Sequence, residues 1–183
     1  MVAASPGSIR TTLQVWHRIE CWLAVGCFAL IATLLLIDVF GRELVGPVLR
    51  GIGLEIGAMG LFGSQKVSVY ALIVGSFCGI GIATATGSHL VPRVGFGWTP
   101  DRWGPAVDRL ADLITGCVLT TIAWYGLVFV QSSMETDLRA PALDWAVWPF
   151  QLAIPLGFLS AAGRYFFYAL WPDTRPQSVA HQE

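Results

Sequence analysis

Four stretches of this chain, residues 21–37, 67–88, 113–134 and 145–163, contain no Asp, Glu, Lys or Arg at all. Each is close to the ~17–25 residues an α-helix needs to cross the hydrocarbon layer of a bilayer. In lipid the backbone must satisfy its own hydrogen bonds, so the runs are expected as helices in spite of their Val and Ile content. The fold class that follows is all-α integral membrane, with four transmembrane helices. Composition agrees, because 55% of the 183 residues are hydrophobic and 13% are charged, against about 25% charged in soluble domains. No stretch is left over for a separate soluble domain. A single membrane domain over 1–172 is expected, with spans near 19–41, 66–88, 112–134 and 145–171, and a disordered cytoplasmic tail over 173–183.

A fifth apolar piece, 56–63, follows Glu55 and is too short to span. It reads as a short extra apolar helix between the first and second spans, lying at the interface or lengthening the second. Arg10 and Arg18 ahead of the first apolar run imitate a secretory signal. The run ends at Asp38 without a small-x-small cleavage site, so it is expected to stay as the first membrane helix.

Orientation follows from the eleven Lys and Arg residues. Arg10, Arg18, Arg93, Arg102, Arg109, Arg164 and Arg175 fall on one side of the four spans, and Arg42, Arg50, Lys66 and Arg139 on the other. The excess places both termini in the cytoplasm. Trp16, Trp22 and Trp171 then mark the inner interface and Trp145 and Trp148 the outer one, as an aromatic belt requires. Between the second and third spans, Thr99-Pro100-Asp101 reads as a helix start within a loop along the cytoplasmic surface.

The formal net charge is -1 and the basic residues are scattered, which argues against nucleic acid as a partner. Cys21, Cys27, Cys78 and Cys117 all lie in apolar runs without CxxC spacing and read as packing residues. There is no phosphate loop, no HExxH and no nucleophile with a base beside it. Neither catalysis nor a cofactor is expected. His17 and His89 belong near the cytoplasmic ends of spans, so haem ligation, and with it a small b-type cytochrome or quinone-linked anchor subunit, is the alternative reading. A self-contained four-helix transporter is a third.

The candidate functional residues are structural. Ala71, Gly75, Gly79 and Ala83 recur every four residues on the second span, and Ala153, Gly157 and Ala161 repeat the device on the fourth. Such small-xxx-small faces let helix backbones approach closely, against a helix of this chain or of a partner. Pro155 removes a backbone donor and crowds the carbonyl of Gln151, so the fourth helix should bend there. Asp38 and Arg42, four residues apart, are in reach of one another at the outer end of the first span. Arg164 is expected near the cytoplasmic end of its helix, snorkelling to the headgroups. The middle of every span is empty of ionisable groups.

Three segments resemble the small membrane subunit of tripartite ATP-independent periplasmic (TRAP) transporters: IDVFGREL at the end of the first span, SFCGIGIATATGSHLVPRV containing His89, and LRAPALDWAVWPFQLAIPLGFLSAAGRYF. The third is the most specific, and the similarity covers about Arg18 to Trp171. Where the family usually carries Glu at the start of the second span, this chain has Gln65 and Lys66, and no acidic residue follows His89 closely. The resemblance implies a large membrane subunit that binds substrate and moves, a periplasmic binding protein that delivers organic acids, and a sodium gradient that drives uptake. The small subunit would be the fixed scaffold, in the inner membrane.

Overall fold

The computed structural model describes residues 7–52, 63–87, 104–140 and 143–175, and the described chain is helical apart from turns and one isolated bridge. Helix α1 runs over Gly7–Phe40, passes through a π-helical turn at Gly41–Val45 and continues as α2, Gly46–Gly51. Pro47 has no N–H for the carbonyl of Glu43, and the turn ahead of it widens, with the Gly46 N–H reaching back to the Gly41 carbonyl. Helix α3 covers Ser64–Thr86. Gly87, at φ 70°, closes it by donating its N–H to the carbonyls of Ala83 and Thr84, the left-handed helix stop that glycine permits.

Helix α4, Gly104–Glu135, starts eight residues ahead of the expected span. The added turns carry Asp108 and Arg109, whose charges suit the aqueous end of a membrane helix and lie outside the uncharged run. Thr115, Thr120 and Thr121 give their hydroxyl protons to carbonyls one turn back, so these polar side chains cost little in lipid. After a tight loop come α5, Trp148–Gln151, and α6, Ala153–Leu170. The interruption at Leu152 puts Pro155 in the first turn of α6, where its missing N–H is tolerated. In place of a bend within one continuous helix, the segment is interrupted at Leu152.

Helix packing is a row and not a closed bundle. α1 packs on α3, α3 on α6 and α6 on α4, while α1 and α4 share no packed face. The close contacts are made where glycine removes a side chain. Gly75 of α3 lies where an added Cβ would stand 3.2 Å from Cys27 Cβ of α1. Gly157 of α6 brings its backbone to within 2.6 Å, measured from an added Cβ, of the Phe77 carbonyl of α3, and Phe77 and Phe158 meet edge to face at 5.7 Å. Gly126 of α4 seats Pro155, and Gly116 seats the ring of Phe166.

The interior is correspondingly small: Ala71, Ala123, Ala161, Ala162 and Ala169 are buried, whereas Leu, Ile and Phe side chains such as Leu36, Ile114 and Phe129 point outward. A soluble protein places them the other way. This inside-out arrangement is what lipid selects, because hydrocarbon tails solvate large apolar side chains and helices gain by backbone approach. α1, α3 and α4 are each long and apolar enough to cross a membrane.

Candidate functional site: buried charges shared between helices

The middle of every span is expected to be empty of ionisable groups and Arg164 to snorkel; the structure instead buries Arg164 together with Glu20, toward the ends of their spans. Glu20 lies on α1 and is 8% exposed; Arg164 lies on α6 and is 1% exposed. Arg164 Nη2 donates to Glu20 Oε2 at 2.6 Å, and Nη1 donates to the backbone carbonyl of Gly81 on α3. Ser160, one turn earlier on α6, donates its hydroxyl to Glu20 Oε1. The Arg164 guanidinium also sits 5.3 Å from the centre of the Trp16 ring. Arg164 therefore does not snorkel to the headgroups. A charge inside apolar surroundings is tolerated when it is paired and hydrogen-bonded, and both charges of this cluster are.

Local sequence explains the geometry. Ser160 and Arg164 are four residues apart and share a face of α6, as do Trp16 and Glu20 on α1. Between them passes α3, and only glycine at position 81 lets the carboxylate cross its backbone: a Cβ there would stand 2.8 Å from Glu20 Cδ. Farther along, the Tyr168 hydroxyl donates to the Thr84 carbonyl at 3.4 Å. Three helices are thus tied at one end of the row. Glu20 escaped detection because it sits one residue ahead of an uncharged run and reads as its boundary. A usable signal was the four-residue spacing of Ser160 and Arg164 within an otherwise apolar helix.

The other ion pairs lie at helix ends. Asp38, buried, accepts from Arg42 at 3.1 Å, as their spacing predicts. Arg175 holds Asp108 at 2.9 Å and also bonds Asp112, clasping the chain after α6 onto the start of α4. Burial alone would lower the Arg175 pKa, but the hydrogen bond and charge of Asp112, joined by Asp108, raise it above the ordinary arginine value. Residues 173–175, expected in the tail, belong instead to a folded turn that starts at Pro172. In the loop before α5, the hydrogen bond and charge of Asp137, with Asp144 behind them, raise the Arg139 pKa.

The small residues divide between two faces. Gly75 is buried against α1 and Gly157 against α3, and Ala71 and Ala161, one turn from them, are buried as well. Gly79 turns away from the row, with nothing within 4 Å of an added Cβ, and Ala83 is half-buried. The His17 ring lies 3.6 Å from Cys21 Sγ. His89, the Thr99-Pro100-Asp101 start, and the piece 56–63 apart from Gly63 lie outside the described residues.

Helices that bury alanine and expose leucine, with each buried charge among the described residues matched by an arginine or a carboxylate of the same chain, define a multi-pass membrane protein. The family description "Tripartite ATP-independent periplasmic transporters, DctQ component" matches residues 31–175, and the chain belongs to this family of small permease subunits. The small permease protein TeaB of an ectoine TRAP transporter from Halomonas elongata is 24% identical over 165 residues, which cover 90% of this chain and 79% of that protein. No solved structure matches. Membership places the chain in the bacterial inner membrane as a component of a transporter, in a family whose members are generally non-catalytic.

Proposed function

We propose that this chain is the fixed scaffold of a TRAP-type secondary transporter, crossing the membrane four times with both termini in the cytoplasm. Its partner is a large membrane subunit that binds and moves the solute, an organic acid handed over by a periplasmic binding protein and driven by sodium. The supporting observation is electrostatic. Among the described residues, the buried charges Glu20, Asp38, Asp112 and Arg164 each form an ion pair within the chain. A transport pathway needs charged or polar groups free to exchange partners at mid-depth; these four charges are engaged and lie toward the ends of their spans, and the buried side-chain oxygens without a partner among the described residues, Ser68 Oγ and Gln151 Oε1, carry no charge.

The fourth crossing is α5 with α6, Trp148–Leu170, about 34 Å of helix at 1.5 Å per residue. Arg164 and the two tyrosines beside it lower its hydropathy, and their burial removes the cost of placing them in lipid. The relative's name concerns ectoine, and the solute of the present system is a property of the other subunits. Reconstitution into liposomes with an imposed sodium gradient tests the assignment, comparing this chain alone, the large subunit alone and the pair, each with binding protein. Uptake by the pair only is the expected result. Uptake by this chain alone, or equal uptake by the large subunit without it, overturns it.

A further inference from the structure

α1 and α4 form the two edges of the row, and their outward faces differ in chemistry. On α1 the exposed side chains along the uncharged run are mainly apolar, among them Leu23, Val25, Phe28 and Leu30, and the exposed Thr33 already gives its hydroxyl proton to the Ala29 carbonyl. On α4 the outward face carries Cys117, Thr121, Trp124, Tyr125 and Ser132, all exposed and at helical spacing. Trp124 and Tyr125 are 65% and 69% exposed.

Their depth is what matters. Tyr125 stands 12 residues after Leu113 and 9 before Met134, the ends of the uncharged run, or about 18 Å and 14 Å along the helix. Trp and Tyr facing lipid belong at the interfaces, where the ring is apolar and the N–H or O–H is wet. Trp16, Trp22, Trp145, Trp148 and Trp171 lie toward the ends of the apolar runs and obey that rule. Trp124 and Tyr125 break it. Neither the indole N–H nor the phenol O–H has a hydrogen-bond partner among the described residues, and hydrocarbon supplies none. Leaving such groups unpaired in an apolar medium is costly. A neighbouring protein helix removes that cost, with carbonyl or side-chain acceptors for both donors and with Cys117 and Thr121 small enough for close approach.

We infer that the outward face of α4, centred on Trp124 and Tyr125, docks a transmembrane helix of the large subunit that presents hydrogen-bond acceptors at mid-bilayer, and that the outer face of α1 meets lipid. The inference rests on the pairing proposed above and adds the surface that makes it. Tyr125 lies outside the chain's own packing, so changing it leaves the fold in place.

The test uses the full chain co-expressed with the large subunit, with a photoreactive benzophenone amino acid at position 125 in one variant and at position 23 in another. Illumination is expected to join the two subunits from position 125 and to give lipid adducts or none from position 23. Tyr125→Phe should weaken co-purification about tenfold, the loss of one desolvated hydrogen bond, with no change in the melting temperature of the isolated chain. Subunit cross-links from position 23 equal to or above those from 125, lipid adducts alone from 125, or a product with the mass of two copies of this chain would each overturn the docking face while leaving the pairing intact. If the unmodified chain does not co-purify with the large subunit at all, the pairing falls and the docking face with it.

Discussion

Removal of Arg164 is the perturbation with the clearest arithmetic. Its guanidinium is 1% exposed and makes one charge-assisted bond to Glu20, one to the Gly81 carbonyl and a cation–π contact with Trp16. Arg164→Met keeps the apolar stem and leaves the Glu20 carboxylate with only the Ser160 hydroxyl. Breaking one side of a buried pair costs about 3–5 kcal/mol, because the surviving charge stays buried and uncompensated. At ~2–4 °C per kcal/mol for a chain of this size, the melting temperature should fall by about 10 °C. Glu20→Gln is expected to cost about as much, since it strands the arginine instead. The double substitution removes both charges and should cost far less than the sum, with a coupling of about 3 kcal/mol in a double-mutant cycle. Thermal unfolding of the four proteins in the same detergent measures it. Additive effects, or a single substitution costing under about 1 kcal/mol, would refute the claim that these charges hold α1, α3 and α6 together.

Gly81→Ala should destabilise the isolated chain by about 2 kcal/mol, since its methyl group displaces the Glu20 carboxylate; Gly79→Leu, facing open space, should leave that stability unchanged and be detectable only in co-purification with the partner. Gly157→Val should cost more than Gly81→Ala, because the obstacle is the Phe77 backbone and cannot swing aside. Arg175→Ala should release the turn after α6 and speed hydrogen exchange of the Thr174 amide, which is held by the Trp171 carbonyl, with a stability cost of about 1 kcal/mol given the half-exposed Asp108. Reporter fusions at Gly46 and Glu135 should read as periplasmic and one at Arg102 as cytoplasmic, and the reverse pattern would remove the four-span topology.

Much of this molecule follows from local chemistry that the sequence carries openly. Four uncharged runs of bilayer length require helices because lipid offers the backbone no alternative partner, and three of those helices are long and apolar enough to cross. Asp38 and Arg42 pair because four residues bring side chains onto one face of any helix, and Pro155 interrupts its helix because a missing N–H is missing in every context. The three motif segments were likewise enough to point to the family that residues 31–175 match.

Other features belong to relations between helices, which no local pattern encodes. Glu20 and Arg164 are 144 positions apart, and each alone reads as a charge at the margin of an apolar run. Only the crossing of α1 over α3 at Gly81 brings them together. The division of the α3 small residues, with Gly75 against α1 and Gly79 facing outward, depends on where the neighbouring helices stand and not on the four-residue repeat. The same holds for the row itself, which leaves α1 and α4 as edges. Periodicity tells which residues share a face; the position of neighbouring helices decides what that face meets, because contact energy exists only between surfaces that the whole fold has brought within a few ångströms.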